Sequence, residues 1–345
     1  MARFNPGPRR IKKPVNLDDF SLTLITVIII AIASIVLITA IYGIIFALSN
    51  PEAPLIGNDV NVSVTGDYPF KQDIELTLPE FKEGNNEISG INSTNAVIYD
   101  VTDNEIVAYK KSKSIIYPAS LTKVMTLIVV YENLPSEDSL NDILTINIPR
   151  GEHSGYGFEM GEKLTVKDLI YAAILQSDGV ACITLAEYIA GSEAKFVQMM
   201  NAKARELGLS ESTTLFQNCS GLHHQYHYST AYDMAVITAY AMKNTFCANV
   251  LTALSYKPSS SFRPGDGCTF WHGLLHNRLN DGAIQPTNAT IKGGKTGWTG
   301  KDSGYCITSL AQGKNGHTYV VVTAKAESWA TAVDDTINIY KNYID

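Results

Sequence analysis

A serine and a lysine three residues apart, Ser120 and Lys123, are the residues of this chain whose types and spacing best suit covalent chemistry. They follow Pro118, which fits the first turn of a helix because that turn does not use its missing N–H. Helical residues at this spacing share one side, so an amine is expected beside a hydroxyl. A serine hydroxyl becomes a nucleophile when a neighbouring base takes its proton, and a partly desolvated lysine can be that base. The pattern is common by chance, so it needs supporting partners.

Two further segments carry polar residues suited to the same chemistry. Ser177-Asp178-Gly179 lies in the break between two predicted helices, where the serine either relays a proton or caps the second helix. Lys295-Thr296-Gly297 ends a predicted strand, and its lysine and threonine hydroxyl can bind a carboxylate through charge-assisted hydrogen bonds. This last segment is not a phosphate-binding loop, because the spacing of that motif is absent.

The elements predicted around these segments indicate an α+β fold. After Ser120, apolar residues recur at helical spacing and predict an amphipathic helix with one buried face. A helical block then separates two early strands from three late strands and a last helix. The predicted strands are 95–100, 105–109, 290–295, 304–312 and 317–324, and the last helix runs from Trp329 to Tyr343. We expect an antiparallel β-sheet flanked by helices, with a mostly helical inserted subdomain and with the first strands rejoining the last.

The N-terminal part of the chain predicts a membrane anchor. Residues 20–48 hold no charged side chain and are long enough to cross about 30 Å of hydrocarbon as one transmembrane helix. Basic residues precede this stretch, so the positive-inside rule places the N terminus in the cytoplasm. A cleaved signal peptide is the alternative, although its apolar core is usually only about 7–15 residues long. The chain divides into a cytoplasmic segment (1–19), the signal anchor (20–48), an extracellular linker (49–90) and a catalytic domain (91–345).

The net charge, the cysteines and the histidines indicate which partners and cofactors the protein can have. The net charge of −7 disfavours a nucleic-acid partner. The five cysteines lack zinc-type spacing, and we expect most of them to be buried free thiols; Cys247 with Cys268 is the pair that an exported chain would bridge most readily. His223, His224 and His227 are potential zinc ligands, but no H-E-x-x-H motif accompanies them. We expect neither a metal nor another cofactor.

The chain resembles penicillin-binding proteins and serine β-lactamases in three motifs that occur in the same order. These are Ser120-x-x-Lys123, Ser177-x-Gly179 and Lys295-Thr296-Gly297. The similarity is strongest to the serine D-Ala-D-Ala carboxypeptidases and extends from about Asn95 to Tyr343. The matching segments are Pro118–Thr126, Leu185–Gly191, Met200–Ala204, Ser220–Leu222, Tyr228–Asp233, Lys295–Thr299 and Gly304–Cys306.

The resemblance implies a carboxypeptidase of the bacterial cell wall, and the anchor predicted at residues 20–48 would hold it in the plasma membrane with its catalytic domain outside. Ser120 would attack the terminal D-Ala-D-Ala bond of a peptidoglycan stem peptide and form an acyl-enzyme that water hydrolyses. Lys123 would be the base, kept neutral in part by the charge of Lys295, and Ser177 would pass a proton to the leaving amine. β-Lactam antibiotics would acylate Ser120 in the same way and act as covalent inhibitors.

Substrate binding is implied for the second and third motifs. The backbone N–H groups of Ser120 and Trp298 would form the oxyanion hole, and Lys295, Thr296 and Gly297 would bind the terminal carboxylate. Gly179 stands where the family usually has an asparagine whose amide holds the lysine and the substrate carbonyl. Removing one such contact lowers a rate by roughly 10²–10³.

These departures leave alternatives open. Asp178, adjacent to Gly179, is the side chain available to replace the amide, although an anion suits a substrate carbonyl poorly. An arginine that binds the terminal carboxylate in many relatives is absent from residues 324–335. The alternative functions are a D,D-endopeptidase or β-lactamase on the same fold, and a weakened or non-catalytic homologue that binds the cell wall.

Overall fold

The computed structural model describes residues 77–344, except residues 85, 152, 260–267 and 275–284. The predicted cytoplasmic segment, the transmembrane anchor at 20–48 and most of the predicted linker lie outside these residues. Within the described part of the chain, no helix has the length and apolar character needed to cross a bilayer.

The strands and helices alternate in the predicted order, with strands at both ends of a helical block. In chain order they are β1 (Glu80–Phe81), β2 (Asn95–Asp100), β3 (Glu105–Lys110), β4 (Ile115–Ile116), α1 (Lys123–Glu132), β5 (Ile143–Thr145), β6 (Lys163–Thr165), α2 (Val166–Leu175), α3 (Gly179–Ala190), α4 (Glu193–Glu206), β7 (Ser229–Thr230), α5 (Ala231–Lys243), α6 (Thr245–Thr252), β8 (Ser255–Tyr256), β9 (Phe270–Trp271), β10 (Ala289–Gly297), β11 (Tyr305–Gly313), β12 (Thr318–Ala326) and α7 (Trp329–Tyr343). Short 3₁₀ turns at Ala119–Thr122 and Glu137–Asn141 complete the list.

A six-stranded sheet in the order β1-β3-β2-β12-β11-β10 carries the fold. The early strand β2 pairs antiparallel with the late strand β12, with Ile98 opposite Val321, so the predicted rejoining of the two ends is confirmed. The sheet is not purely antiparallel, because β1 pairs in parallel with β3. This pairing also carries the domain further toward the N terminus than the predicted boundary at residue 91. Strand β10, which ends in the third motif, lies at one edge.

The two faces of the sheet are covered by different helices. Successive side chains of a strand point to opposite faces, and β12 shows this clearly: Val320 and Val322 pack with the helical block, whereas Val321 packs with α7. Helix α5 lies on one face, against β2 and β12, and α7 covers the other, against β11 and β12. The three motif segments therefore lie between an edge of the sheet and the helical block.

Helix α1 differs from its prediction. Every residue from Lys123 to Val130 is buried, so the expected single buried face is wrong. The helix is enclosed by helices α2 to α6, and a helix enclosed in this way is apolar around its whole circumference. The sequence signal for this burial is the segment Val124–Val130, in which every residue except Thr126 is apolar.

Local contacts stabilise a helix end and a hairpin turn. The Thr165 hydroxyl accepts from the Asp168 N–H at 3.0 Å while the Asp168 carboxylate accepts from the Thr165 N–H at 3.1 Å, which forms a capping box at the start of α2. The Lys314-Asn315-Gly316 turn joins β11 to β12. All five cysteines are free thiols and four of them are buried, so the expected free thiols are confirmed and the pairing of Cys247 with Cys268 is wrong.

Candidate active site

Ser120 and Lys123 meet at the start of the central helix. Ser120 lies in the 3₁₀ turn Ala119–Thr122, and Lys123 is the first residue of α1. The Lys123 Nζ donates to Ser120 Oγ at 3.0 Å, with the serine 7% and the lysine 1% exposed. Ala119 adopts a φ of 49°, an uncommon value for a residue other than glycine. This strain in the turn preceding Ser120 is of the kind that clusters at functional sites.

A backbone carbonyl from a distant loop completes the environment of the lysine. Lys123 Nζ also donates a short hydrogen bond to the carbonyl of Ser220. The loop is anchored to the same helix, because the Thr126 hydroxyl donates to the Cys219 carbonyl at 2.6 Å. Ser220–Leu222 matches a segment of the family, but the sequence predicts no role for it, since a backbone acceptor leaves no trace in side-chain type.

Burial lowers the pKa of Lys123, because the charged form loses its hydration inside the protein. The neighbouring Cys182, Cys219 and Asp178 act in the opposite direction. Burial also lowers the pKa of Lys295 well below its ordinary value, and the nearby charge of Lys123 adds to this effect. Desolvation is the main cause of the lowered pKa for both lysines, and a partial effect of Lys295 on Lys123 stays a prediction. An amine of this kind is easily deprotonated and can serve as a base.

The second and third motifs are joined by one hydrogen bond. Lys295 Nζ donates to Ser177 Oγ at 2.9 Å and to its neighbour's carbonyl, that of Thr296, at 2.8 Å. Ser177 has a φ of 57°, again uncommon for a non-glycine residue. Thr296 is half-buried on β10. The structure thus pairs Ser177 with Lys295, as it pairs Ser120 with Lys123.

Gly297 brings the two pairs together. A Cβ at this position would lie 3.0 Å from both the Pro118 carbonyl oxygen and the Ser120 nitrogen, so a larger residue would push the neighbouring backbone away. The end of β10 therefore lies directly against the turn that holds Ser120. Trp298, the next residue, is 52% exposed and stacks on Tyr305 with ring centroids 5.9 Å apart.

Asp178 is not free to replace the missing asparagine. Its Oδ1 accepts from the Ala181 N–H at 2.8 Å and caps α3, while its Oδ2 accepts from the Tyr156 N–H at 2.8 Å. Both carboxylate oxygens serve backbone groups, so the suggested substitution by Asp178 is wrong. Gly179 is the first residue of α3, and the imidazole of His153 lies against it. No motif in the sequence points to His153.

The three clustered histidines have separate environments. His223 and His224 are exposed, whereas His227 is buried beside the 3₁₀ turn that holds Ser120. The Gln217 N–H donates to His227 Nδ1 at 3.2 Å, so this nitrogen is an acceptor, and Nε2 then donates to the Thr122 hydroxyl at 2.8 Å. Burial lowers the pKa of His227 to about 3, and the ring is neutral at physiological pH. His227 therefore holds the turn that contains Ser120 through hydrogen bonds made by a neutral ring.

His227→Gln is expected to reduce the loss of stability of the protein in acid. The unfolded chain binds a proton at this site below about pH 6.5, whereas the folded chain does so only near pH 3, so the free energy of unfolding falls as the pH drops between these values. Glutamine keeps one donor and one acceptor but binds no proton. The slope between pH 6 and 4 should decrease by about 1.4 kcal/mol per pH unit. Urea denaturation at several pH values measures it.

His224→Gln is the matched control, because His224 is exposed on the same loop. Its effect on the slope should be smaller than that of His227→Gln. Equal slopes for His227→Gln and the wild type would contradict a neutral buried His227.

A family model described as D-alanyl-D-alanine carboxypeptidase matches residues 82–327 of this chain. The chain is 31% identical over 258 residues to the D-alanyl-D-alanine carboxypeptidase DacF of Bacillus subtilis. The aligned region covers 73% of this chain and 60% of that protein. It is 29% identical over 240 residues to DacC of Escherichia coli, across 67% of this chain and 56% of that protein. The chain thus spans somewhat over half the length of these relatives.

Solved structures of penicillin-binding proteins share the fold. Penicillin-binding protein 5 from Haemophilus influenzae superposes with a TM-score of 0.61 at 24% identity, covering 73% of this chain and 70% of that one. A penicillin-binding protein from Listeria monocytogenes in its cefotaxime-bound form superposes with a TM-score of 0.61 at 22% identity, covering 73% of this chain and 97% of that one. At this level of identity, the likeness establishes the fold.

Proposed function

The chain belongs to the D-alanyl-D-alanine carboxypeptidase family, and on that premise we propose that it is a serine-type D,D-carboxypeptidase that removes the terminal D-alanine from peptidoglycan stem peptides. The observation that carries the proposal is the 3.0 Å hydrogen bond from Lys123 Nζ to Ser120 Oγ, between two side chains that are almost completely buried. A serine held against a desolvated amine is equipped to act as a nucleophile.

Acylation begins when neutral Lys123 takes the proton of Ser120 and the serine oxygen attacks the carbonyl carbon of the terminal peptide bond. The geometry at Gly297 supports an oxyanion hole made by the N–H groups of Ser120 and Trp298, because the end of β10 lies against the serine. The C–N bond then breaks, and the proton that Lys123 took from Ser120 passes through the Ser177 hydroxyl to the nitrogen of D-alanine as it leaves. Lys123 is then neutral again and serves as the base when water hydrolyses the acyl-enzyme.

Ser177 and Lys295 are placed to serve the leaving side of the reaction. The hydroxyl of Ser177 accepts from Lys295 Nζ at 2.9 Å, so Ser177 can donate its own hydrogen to the leaving nitrogen. Lys295 and the Thr296 hydroxyl lie at the sheet edge beside this serine, and together they offer N–H and O–H donors to the terminal carboxylate of the peptide.

Membrane attachment is part of the same proposal. Residues 20–48 anchor the chain as a single span with the N terminus in the cytoplasm, which places the catalytic domain at the cell wall outside. Support comes from the uncharged length of this stretch and the basic residues that precede it. β-Lactams then reach Ser120 from outside and acylate it.

The test uses the full chain purified in detergent. We expect it to release D-alanine from a stem pentapeptide, and we expect penicillin to form a long-lived adduct that mass spectrometry places on Ser120. Rapid turnover of penicillin would instead indicate a β-lactamase, and cleavage of a cross-linked stem dimer without release from the pentapeptide would indicate an endopeptidase. If neither D-alanine release nor an adduct is observed, the proposal is wrong and the non-catalytic alternative holds.

A further inference from the structure

A histidine occupies the space that belongs to the side chain at the third position of the second motif. A Cβ added to Gly179 would lie 2.9 Å from His153 Nδ1, 3.0 Å from its Cβ and 3.2 Å from its Cγ. Gly179 lies in helical backbone that any residue adopts, so the glycine is required for space and not for conformation. An asparagine at residue 179 and the present position of His153 exclude one another.

The position of His153 is set by the second motif itself. His153 lies in the loop between β5 and β6, and the next residue in this loop, Ser154, accepts from the Gly179 N–H at 2.9 Å. Two residues further on, the Tyr156 N–H donates to the Asp178 carboxylate at 2.8 Å. The Ser154 hydroxyl also donates to the Ser177 carbonyl at 3.3 Å. All three residues of the motif therefore hold the loop that carries His153.

The imidazole also has an unused polar atom. His153 Nδ1 is buried and has no hydrogen-bond partner among the described residues. Buried polar atoms are nearly always paired, so an exception at a reactive site calls for an explanation. Like an amide, a neutral imidazole offers both a donor and an acceptor on a flat group. The side chain as a whole is half-buried, so the ring borders both the motif and the space outside it.

We propose that His153 supplies, from a separate loop, the polar contact that an asparagine amide supplies in the usual motif, and that its ring binds the carbonyl of the peptide bond preceding the scissile one. This inference rests on the proposed function, because it assigns a substrate contact to the same site. This assignment explains how the motif can keep Ser177 and yet have Gly179 in place of the asparagine. The function of the second motif is divided between a serine on one segment and a histidine on another.

Three variants of the full chain test this inference through the rate at which a fluorescent penicillin labels Ser120. His153→Phe keeps a flat ring of similar size but has no polar atom, and we expect labelling to slow about 10²-fold. Gly179→Asn alone should lower the Tm by about 5 °C, since the added side chain meets His153. The pair His153→Gly with Gly179→Asn should recover the Tm and return labelling to within about tenfold of wild type. Glycine is needed at 153 because the histidine Cβ is itself 3.0 Å from the new one.

The outcomes separate this inference from the proposed function. Labelling of His153→Phe at the wild-type rate would show that the ring only fills space, and would overturn the inference while leaving the function intact. The inference is also overturned if penicillin labels His153→Phe slowly and labels the paired variant, His153→Gly with Gly179→Asn, slowly as well. If even the wild type is not labelled, the proposed function fails; a Gly179→Asn variant as stable as wild type would then still contradict the shared space.

Discussion

Lys123→Met is expected to lower the rate at which penicillin acylates Ser120 by about 10³- to 10⁴-fold, the upper part of the range for a general base. Lys123 Nζ lies 3.0 Å from Ser120 Oγ, and burial lowers its pKa, so it is the group placed to accept the serine proton. Methionine keeps the length and apolar stem of the side chain and cannot accept that proton. Labelling kinetics with a fluorescent penicillin measure the loss.

The same variant should be as stable as the wild type or more stable. Lys123 is 1% exposed, and keeping an amine in this environment costs free energy that an apolar side chain of similar volume does not incur. The variant therefore separates function from folding, because a lysine with a purely structural role would lose stability together with activity. Urea denaturation of the two proteins makes the comparison.

Lys292→Met is the matched control. Lys292 is exposed on β10, the strand that carries Lys295, and its replacement should alter neither labelling nor stability measurably. An acylation rate within tenfold of wild type for Lys123→Met would show that another group takes the proton of Ser120.

Sequence reasoning succeeded where the relevant contacts are local or patterned. The spacing of Ser120 and Lys123 brings their side chains together through helical geometry alone, and the Asn315-Gly316 turn specifies a hairpin through its own backbone preferences. The pairing of β2 with β12 was predicted because strands on both sides of a helical block need partners. Motif order supplied the rest, since three segments distant in sequence recur together in one family.

The contacts that sequence reasoning missed depend on backbone atoms and on empty space. The acceptor for Lys123 is the carbonyl of Ser220, 97 residues away, and a carbonyl is common to every residue type. The significance of Gly179 lies in what fills the space beside it, and His153 comes from a loop with no motif of its own. Asp178 was misjudged for the same reason, because its carboxylate is engaged by backbone N–H groups that tertiary packing brings near.

Gly221→Ala is expected to lower the free energy of unfolding by about 4 kcal/mol and to slow acylation together with it. A Cβ at this buried position would lie 2.0 Å from the Ala119 carbonyl oxygen and 3.0 Å from the Ser120 nitrogen. The backbone of the loop must therefore move away from the catalytic turn. The adjacent Ser220 carbonyl, which accepts from Lys123, moves with it, so the base loses its position. Urea denaturation and penicillin labelling measure the two effects.

Gly161→Ala isolates the steric part of this loss. Gly161 has a φ of 89°, close to the 82° of Gly221, but a Cβ there would meet nothing within 4 Å. Its replacement bears only the conformational cost of a left-handed residue, about 1–2 kcal/mol. The difference between the two losses in the free energy of unfolding thus measures the steric contact between the loop that holds Ser220 and the turn that holds Ser120. If the two losses are equal, the loop does not press on that turn, and Lys123 must take its orientation from Ser120 alone.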